Sequence, residues 1–326
     1  MISCKSNLGE EIQAFIVSRR ALGRRYESEE RTLSLLDRFL AERRVATADD
    51  VSPTIIEEFL RSRPRAKPRS YNHLLSVVRG FFDWLVRQGR LRRSPVQAKV
   101  RRNTNPRMPF IFDPPTAARL LETAANLRDN PRATMRGITY HTIFAVLYCL
   151  GLRVGEAARL LVGDIDWDRH LLLIRETKFY KSRLVPFGPR LGEVLKNYVE
   201  ATRVRRGILS MQDPLFSFTA NRTINPCTIS QAFHGLVPKL NLVIPSGVGS
   251  PRVHDLRHSF AVGTLLRWYR TGQDPGARLL HLSTFLGHVD ISSTAVYLTM
   301  TTSLLEEANR RFEAHAKPLI QEGFVP

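Results

Sequence analysis

The chain has 326 residues, 43% of them hydrophobic, and 49 Lys and Arg against 30 Asp and Glu give a formal charge of +19. That length and apolar content exclude a disordered tail or a disulfide-stapled miniprotein and leave room for two domains with their own cores. The surplus of positive charge, carried mainly by arginine, points to a polyanionic partner, nucleic acid first and an anionic membrane surface second.

Cys4, Cys149 and Cys227 lie far apart and form neither a CxxC pair nor an even disulfide set, which suits a reducing compartment. The opening residues lack the apolar core of a signal peptide, and the longest apolar run, 143–152, is half the roughly 20 residues a bilayer demands. A cytoplasmic protein without a membrane partner is the expectation.

Residues 9–44 read as helical, with Ile12, Phe15 and Ile16 on one face, Leu33, Leu36, Phe39 and Leu40 on another, and a break near Gly23. Ser52-Pro53-Thr54 opens a helix over 55–60, since proline suits a first helical turn. Arg61, Arg63, Arg65, Lys67 and Arg69, with two prolines among them, mark an exposed basic loop. Tyr71 to Gln88 is amphipathic through Leu74, Leu75, Val78, Phe81, Phe82 and Leu85. These segments predict a helical domain over 1–95. Residues 96–108, rich in proline and arginine, read as a basic linker. Both flanking regions are basic, which suits a clamp around a duplex.

The second domain is expected over 109–326. Pro114-Pro115-Thr116 opens a helix over 117–127, and Tyr140 to Leu150 is apolar nearly all round, hence a buried helix stopped by Gly151. Arg153 follows at once; beside so apolar a helix end it needs a partner, and Glu156 is near enough to orient it. A helix is expected to continue through Leu161. Residues 171–175 and 184–187 read as a β-hairpin with Lys178 near its tip. Helices are expected over 191–204, 228–236 and 303–316. Between the last two, 254–297 holds His254-Asp255-Leu256-Arg257-His258, then Leu286-Gly287-His288, then Tyr297 nine residues on. Cationic donors and one phenol, without clustered carboxylates, suit attack on a phosphodiester.

The ordered set Gly151-Leu152-Arg153-x-x-Glu156, Lys178 with Arg183-Leu184-Val185-Pro186, His254-x-x-Arg257-His258, Leu286-Gly287-His288 and Tyr297 resembles the tyrosine recombinase, or phage integrase, family. The N-terminal bundle resembles that family's core-binding domain. The likeness implies a mainly α fold with a small β-sheet. It implies a site-specific recombinase that cuts and rejoins double-stranded DNA through a 3′-phosphotyrosine, with no metal or nucleotide cofactor. It implies catalytic roles for Arg153, Lys178, His254, Arg257, His288 and Tyr297: Tyr297 as nucleophile, the two arginines on the non-bridging oxygens, Lys178 as acid to the leaving oxygen, His254 helping to take the phenolic proton, and His288 bonding the phosphate. A homo-tetramer on DNA is implied too, its final helix docking on a neighbour, with accessory factors left open.

Two departures bear on these expectations. The stretch 267–286 is longer than in compact members and is expected to add helix or alter how Tyr297 is presented. A separate arm-type DNA-binding domain is not expected, which favours a simple or transposon-borne recombinase. Three rivals stay open: a type IB topoisomerase-like relaxase, a non-catalytic DNA-binding protein, and a zinc site. The last would use His254 and His258, four apart, but Asp255-Leu256 replaces the glutamate of HExxH. His258 is otherwise expected to pack or to support its neighbours.

Overall fold

The computed structural model describes residues 5–23, 26–102, 108–175, 182–219, 222–299 and 302–321. The chain divides into two units, Met1–Pro106 and Arg107–Pro326.

The first unit holds α1 (Gly9–Ala21), α2 (Glu27–Glu42), α3 (Pro53–Ser62) and α4 (Pro68–Arg87). Ser52 caps α3 by accepting from the Ile55 amide, with Pro53 in the first turn, as the local sequence predicts. On α4 the residues at helical spacing, from Leu74 to Leu85, are all buried. They close on Phe15, Leu36 and Phe59, and the Phe15 ring lies 5.6 Å from both Phe81 and Trp84. Buried Asp37 of α2 pins the beginning of the described chain, accepting from the amides of Lys5 and Ser6 at 2.8 and 3.1 Å.

Residues 96–102, part of the expected linker, run along this bundle. Asn72 brackets Arg101, donating to its carbonyl at 2.8 Å and accepting from its amide at 2.7 Å. Arg79 donates to the Ala98 carbonyl. The Arg101 guanidinium lies 3.9 Å from the centre of the Tyr71 ring and donates to the Arg65 carbonyl. Composition marks such a segment as unable to make its own core, but not whether side chains of a neighbouring helix will hold its backbone.

The second unit is mostly helical around a small sheet. The helix expected at 140–150 is α6 (Arg136–Leu150), packed between α5 (Pro114–Ala125), α8 (Pro189–Arg206) and α10 (Asp255–Arg270). Its all-round apolarity reflects burial on nearly every side. The next helix, α7 (Val154–Ala158), stops short of the expected Leu161, because the Leu160 carbonyl accepts from Leu215 and Leu161 bridges Pro214. The hairpin gains a third strand: β1 (Ile165–Asp166), β2 (Leu171–Ile174) and β3 (Arg183–Pro186) form an antiparallel sheet in that order, with Leu172 opposite Ile165 and Val185. Two residues of β1 are too few to show alternation. Lys178 lies outside the described residues.

The long stretch before Tyr297 contains a complete helix, α11 (Pro275–Leu286), after α9 (Pro226–Leu236) and α10. Asp274 caps it, accepting from Gly276, with Pro275 in its first turn. The short α12 (Ser292–Ala295) and a 3₁₀ turn over 296–299 carry Tyr297. The final helix, α13 (Thr302–Gln321), packs on α10 of its own chain; Arg311 donates to the Gln273 carbonyl at 2.8 Å and lies over the Tyr269 ring. Among the described residues no helix is long and apolar enough to cross a membrane.

Asn72→Ala removes both clamps on Arg101. The Arg101 amide should exchange about tenfold faster, the equivalent of roughly 1.4 kcal/mol, while the α4 core amides keep their protection. Hydrogen exchange read residue by residue checks this.

Candidate active site

Two helix ends build the floor of the site. Gly151 closes α6 and Gly287 closes α11, both in the left-handed region at φ 59° and 68°. A side chain at either position would also collide: a Cβ on Gly151 would lie 2.6 Å from Phe260, and one on Gly287 2.8 Å from the Arg183 guanidinium. Helices that end this way leave carbonyls in need of donors.

Arg257 supplies them. It sits in the first turn of α10, 1% exposed, and donates from Nη1 to the Gly151 carbonyl and from Nη2 to the Leu286 carbonyl, both at 2.7 Å. Burial, with repulsion from Arg153, pulls its pKa down to about 10, so it stays charged at neutral pH. Arg153 precedes α7 and donates from Nη2 to the Gly287 carbonyl at 2.9 Å and from Nη1 to Glu156 at 2.7 Å. A third of its side chain remains exposed.

Glu156 holds two arginines. Arg183, at the beginning of β3, donates a fork to both its oxygens at 3.1 and 2.9 Å and a third bond from Nε to the Phe285 carbonyl at 2.8 Å. Burial works to raise the Glu156 pKa, but the Arg183 fork and Arg153 outweigh it and hold the carboxyl at about 2. One buried carboxylate therefore ties α7 to β3, and Arg183 ties β3 to the end of α11.

Tyr297 lies within this frame, 2% exposed. Its Oη is 2.9 Å from His258 Nδ1, and its ring stacks on His288 with centroids 6.4 Å apart. Burial raises the phenol pKa, and Arg257 and Arg153 pull it partly back; the hydroxyl is protonated at neutral pH. His288 is turned by Thr294, Nδ1 to Oγ1 2.7 Å. Burial, then nearby arginines, depress both His258 and His288 to about 4, so both are neutral at pH 7. His254 is exposed and meets the His258 ring edge-on at 4.8 Å.

Five of the six residues expected to act together, Arg153, His254, Arg257, His288 and Tyr297, thus converge. Two others join them. In the sequence both stand inside the motifs that carry the family resemblance, His254-x-x-Arg257-His258 and Arg183-Leu184-Val185-Pro186, but without a catalytic role of their own.

Residues 116–303 match the model of the phage integrase family, and residues 12–89 match the phage integrase N-terminal SAM-like domain. The chain belongs to the phage integrase family. A Sinorhizobium fredii protein named as an integrase/recombinase, y4rB, is 33% identical over 313 residues, covering 94% of this chain and 98% of that protein. Tyrosine recombinase XerC of Pelobacter propionicus is 27% identical over 83% of this chain and 82% of its own. The Tn1549 transposon integrase, solved in complex with transposon right end DNA, shares the fold with a TM-score of 0.64 at 16% identity, covering 94% of this chain and 99% of that one. The chain is accordingly a site-specific tyrosine recombinase, mainly α-helical with a small sheet.

Gly287→Ala should lower stability by about 1–2 kcal/mol through its backbone alone and also displace Arg183, so DNA cleavage should fall. Gly207→Ala, at φ 83° with open space around it, should leave cleavage unchanged; comparing the two variants by denaturation and strand cleavage checks this. Separately, the unfolded chain binds protons at His258 and His288 near pH 6.5, which the folded chain refuses until about 4. Stability should therefore fall as pH drops from 6.5 toward 4. Urea midpoints across that range check the sign, and His288→Asn should make the decline shallower.

Proposed function

We propose that Tyr297 attacks a scissile DNA phosphate, giving a 3′-phosphotyrosine and a free 5′-hydroxyl, and that reversal onto a second strand completes recombination. The observation that carries this reading is the Tyr297 phenol enclosed by Arg153, Arg257, His258 and His288. Arg153, the more exposed of the two arginines, meets the phosphate first. Both guanidiniums then neutralise charge on the non-bridging oxygens, where donors already in place are worth most. His288 adds a hydrogen bond to the phosphate. His254 helps to carry off the phenolic proton, and Lys178 protonates the leaving oxygen. Because an ester is exchanged for an ester, rejoining needs neither nucleotide nor metal.

The basic first unit adds binding energy along the DNA backbone. Four protomers on two sites exchange strands in pairs through a Holliday junction, with the exposed Leu305 and Phe312 of α13 as the surface offered to a neighbour. The DNA-bound Tn1549 integrase, alike in fold, supports a duplex substrate.

A nicked suicide substrate tests the assignment, since loss of the short cleaved strand prevents rejoining. Wild type should accumulate a covalent adduct and Tyr297→Phe none; an adduct with the variant contradicts the reading. Arg153→Ala should bind DNA within about threefold of wild type and cleave about 10²–10³-fold more slowly. Undiminished cleavage would remove Arg153 from the site.

A further inference from the structure

We propose that His258 is the catalytic residue that takes the Tyr297 proton directly, and that His254 stands one ring behind it. This rests on Tyr297 being the nucleophile. Of the two histidines at the N-terminal end of α10, His254 just before it and His258 in its first turn, only His258 has a ring nitrogen in hydrogen-bond reach of the phenol, Nδ1 to Oη 2.9 Å. The rings are tilted with centroids 5.5 Å apart, so the contact runs through the nitrogen edge rather than by stacking. His254 meets the His258 ring edge to face at 4.8 Å and makes no hydrogen bond with Tyr297.

The direction of the proton follows from the charges around the pair. His258 faces Tyr297, His254, Arg257 and Arg252. Burial, and after it the two arginines, keep its ring neutral in the resting protein. A neutral ring with its proton on Nε2 presents a lone pair at Nδ1 and accepts from the phenol. When DNA binds, the phosphate brings negative charge beside Arg257, which weakens its opposition to an imidazolium on His258. The phenolic proton then moves to Nδ1 as the Oη–phosphorus bond forms and the phosphorus–O5′ bond breaks. The departing O5′ takes its proton from the general acid assigned above to Lys178. On rejoining, the imidazolium returns its proton to the leaving phenolate, so one residue serves as base and then acid.

The test is single-turnover cleavage of the suicide substrate by His258→Ala and His258→Asn, beside wild type and Tyr297→Phe. Asparagine keeps a hydrogen-bonding atom near Nδ1 but cannot take a proton. Both His258 variants should bind DNA as wild type does and cleave about 10²-fold or more slowly at pH 7. Their rates should climb about tenfold per pH unit as hydroxide replaces the lost base, while the wild-type profile stays flat between pH 6 and 8. A substrate with sulfur at the bridging 5′ position, whose thiolate leaves without an acid, should not restore them. Full-rate cleavage by either variant, a flat pH profile in a slow variant, or rescue by sulfur overturns the proposal. If instead wild type forms no adduct, or Tyr297→Phe forms one, the nucleophile assignment itself has failed.

Discussion

The site depends on one buried cation shared by two helix ends. Arg257 lies in the first turn of α10, where the helix dipole disfavours positive charge, and it is almost completely shut off from water. What makes the position tenable is that α6 and α11 both end there. Each presents a carbonyl at its negative pole, Gly151 and Leu286, and each carbonyl takes one arm of the guanidinium at 2.7 Å. Without that cation two buried carbonyls lose their donor, at a cost of about 1–3 kcal/mol each. Three helices from distant parts of the chain are fixed in one place by a charge that leaves the phenol of Tyr297 facing a positive field.

The rest of the site extends this logic. Glu156 is the one buried carboxylate that the arginines surround, and it keeps them from simply repelling each other. Through it Arg153 is aimed toward Gly287, and Arg183 links β3 to the turn preceding His288. The glycines of the two short motifs are structural requirements, because each end must turn left-handed and admit a neighbour that a Cβ would strike. Residues 151–156, 183, 254–258 and 286–297 therefore cohere as one hydrogen-bonded unit although more than a hundred residues separate its parts.

Much of this was readable in the chain. Helical periodicity located α2 and α4, each with one face buried, and an unbroken apolar run closed by Gly151 located α6, buried on nearly every side. The ordered residues from Arg153 to Tyr297 gave the family, since phosphoryl chemistry restricts which side chains can serve. Other features left no local mark. The two residues of β1 exist as a strand through pairing with β2, and the course of 96–102 along the bundle depends on Asn72 and Arg79, which lie far back in the sequence. The sequence marks His258 only as a residue that packs or supports its neighbours, because adjacency to Arg257 does not reveal that its ring turns toward a phenol 39 residues away. Arg183 has its meaning only once Glu156 is seen between two guanidiniums.

The central claim is that this frame makes the phenol of Tyr297, and no other group, the atom that bonds to phosphorus. Tryptic digestion of the trapped DNA adduct, followed by mass spectrometry, addresses it directly. The expected peptide runs from Leu279 to Arg310 and contains a single tyrosine, Tyr297. Residual nucleotide mass on that peptide, fragmenting to the tyrosine, is the result the account predicts. The same mass on a peptide carrying Tyr269, or on a serine or histidine anywhere in the chain, contradicts it.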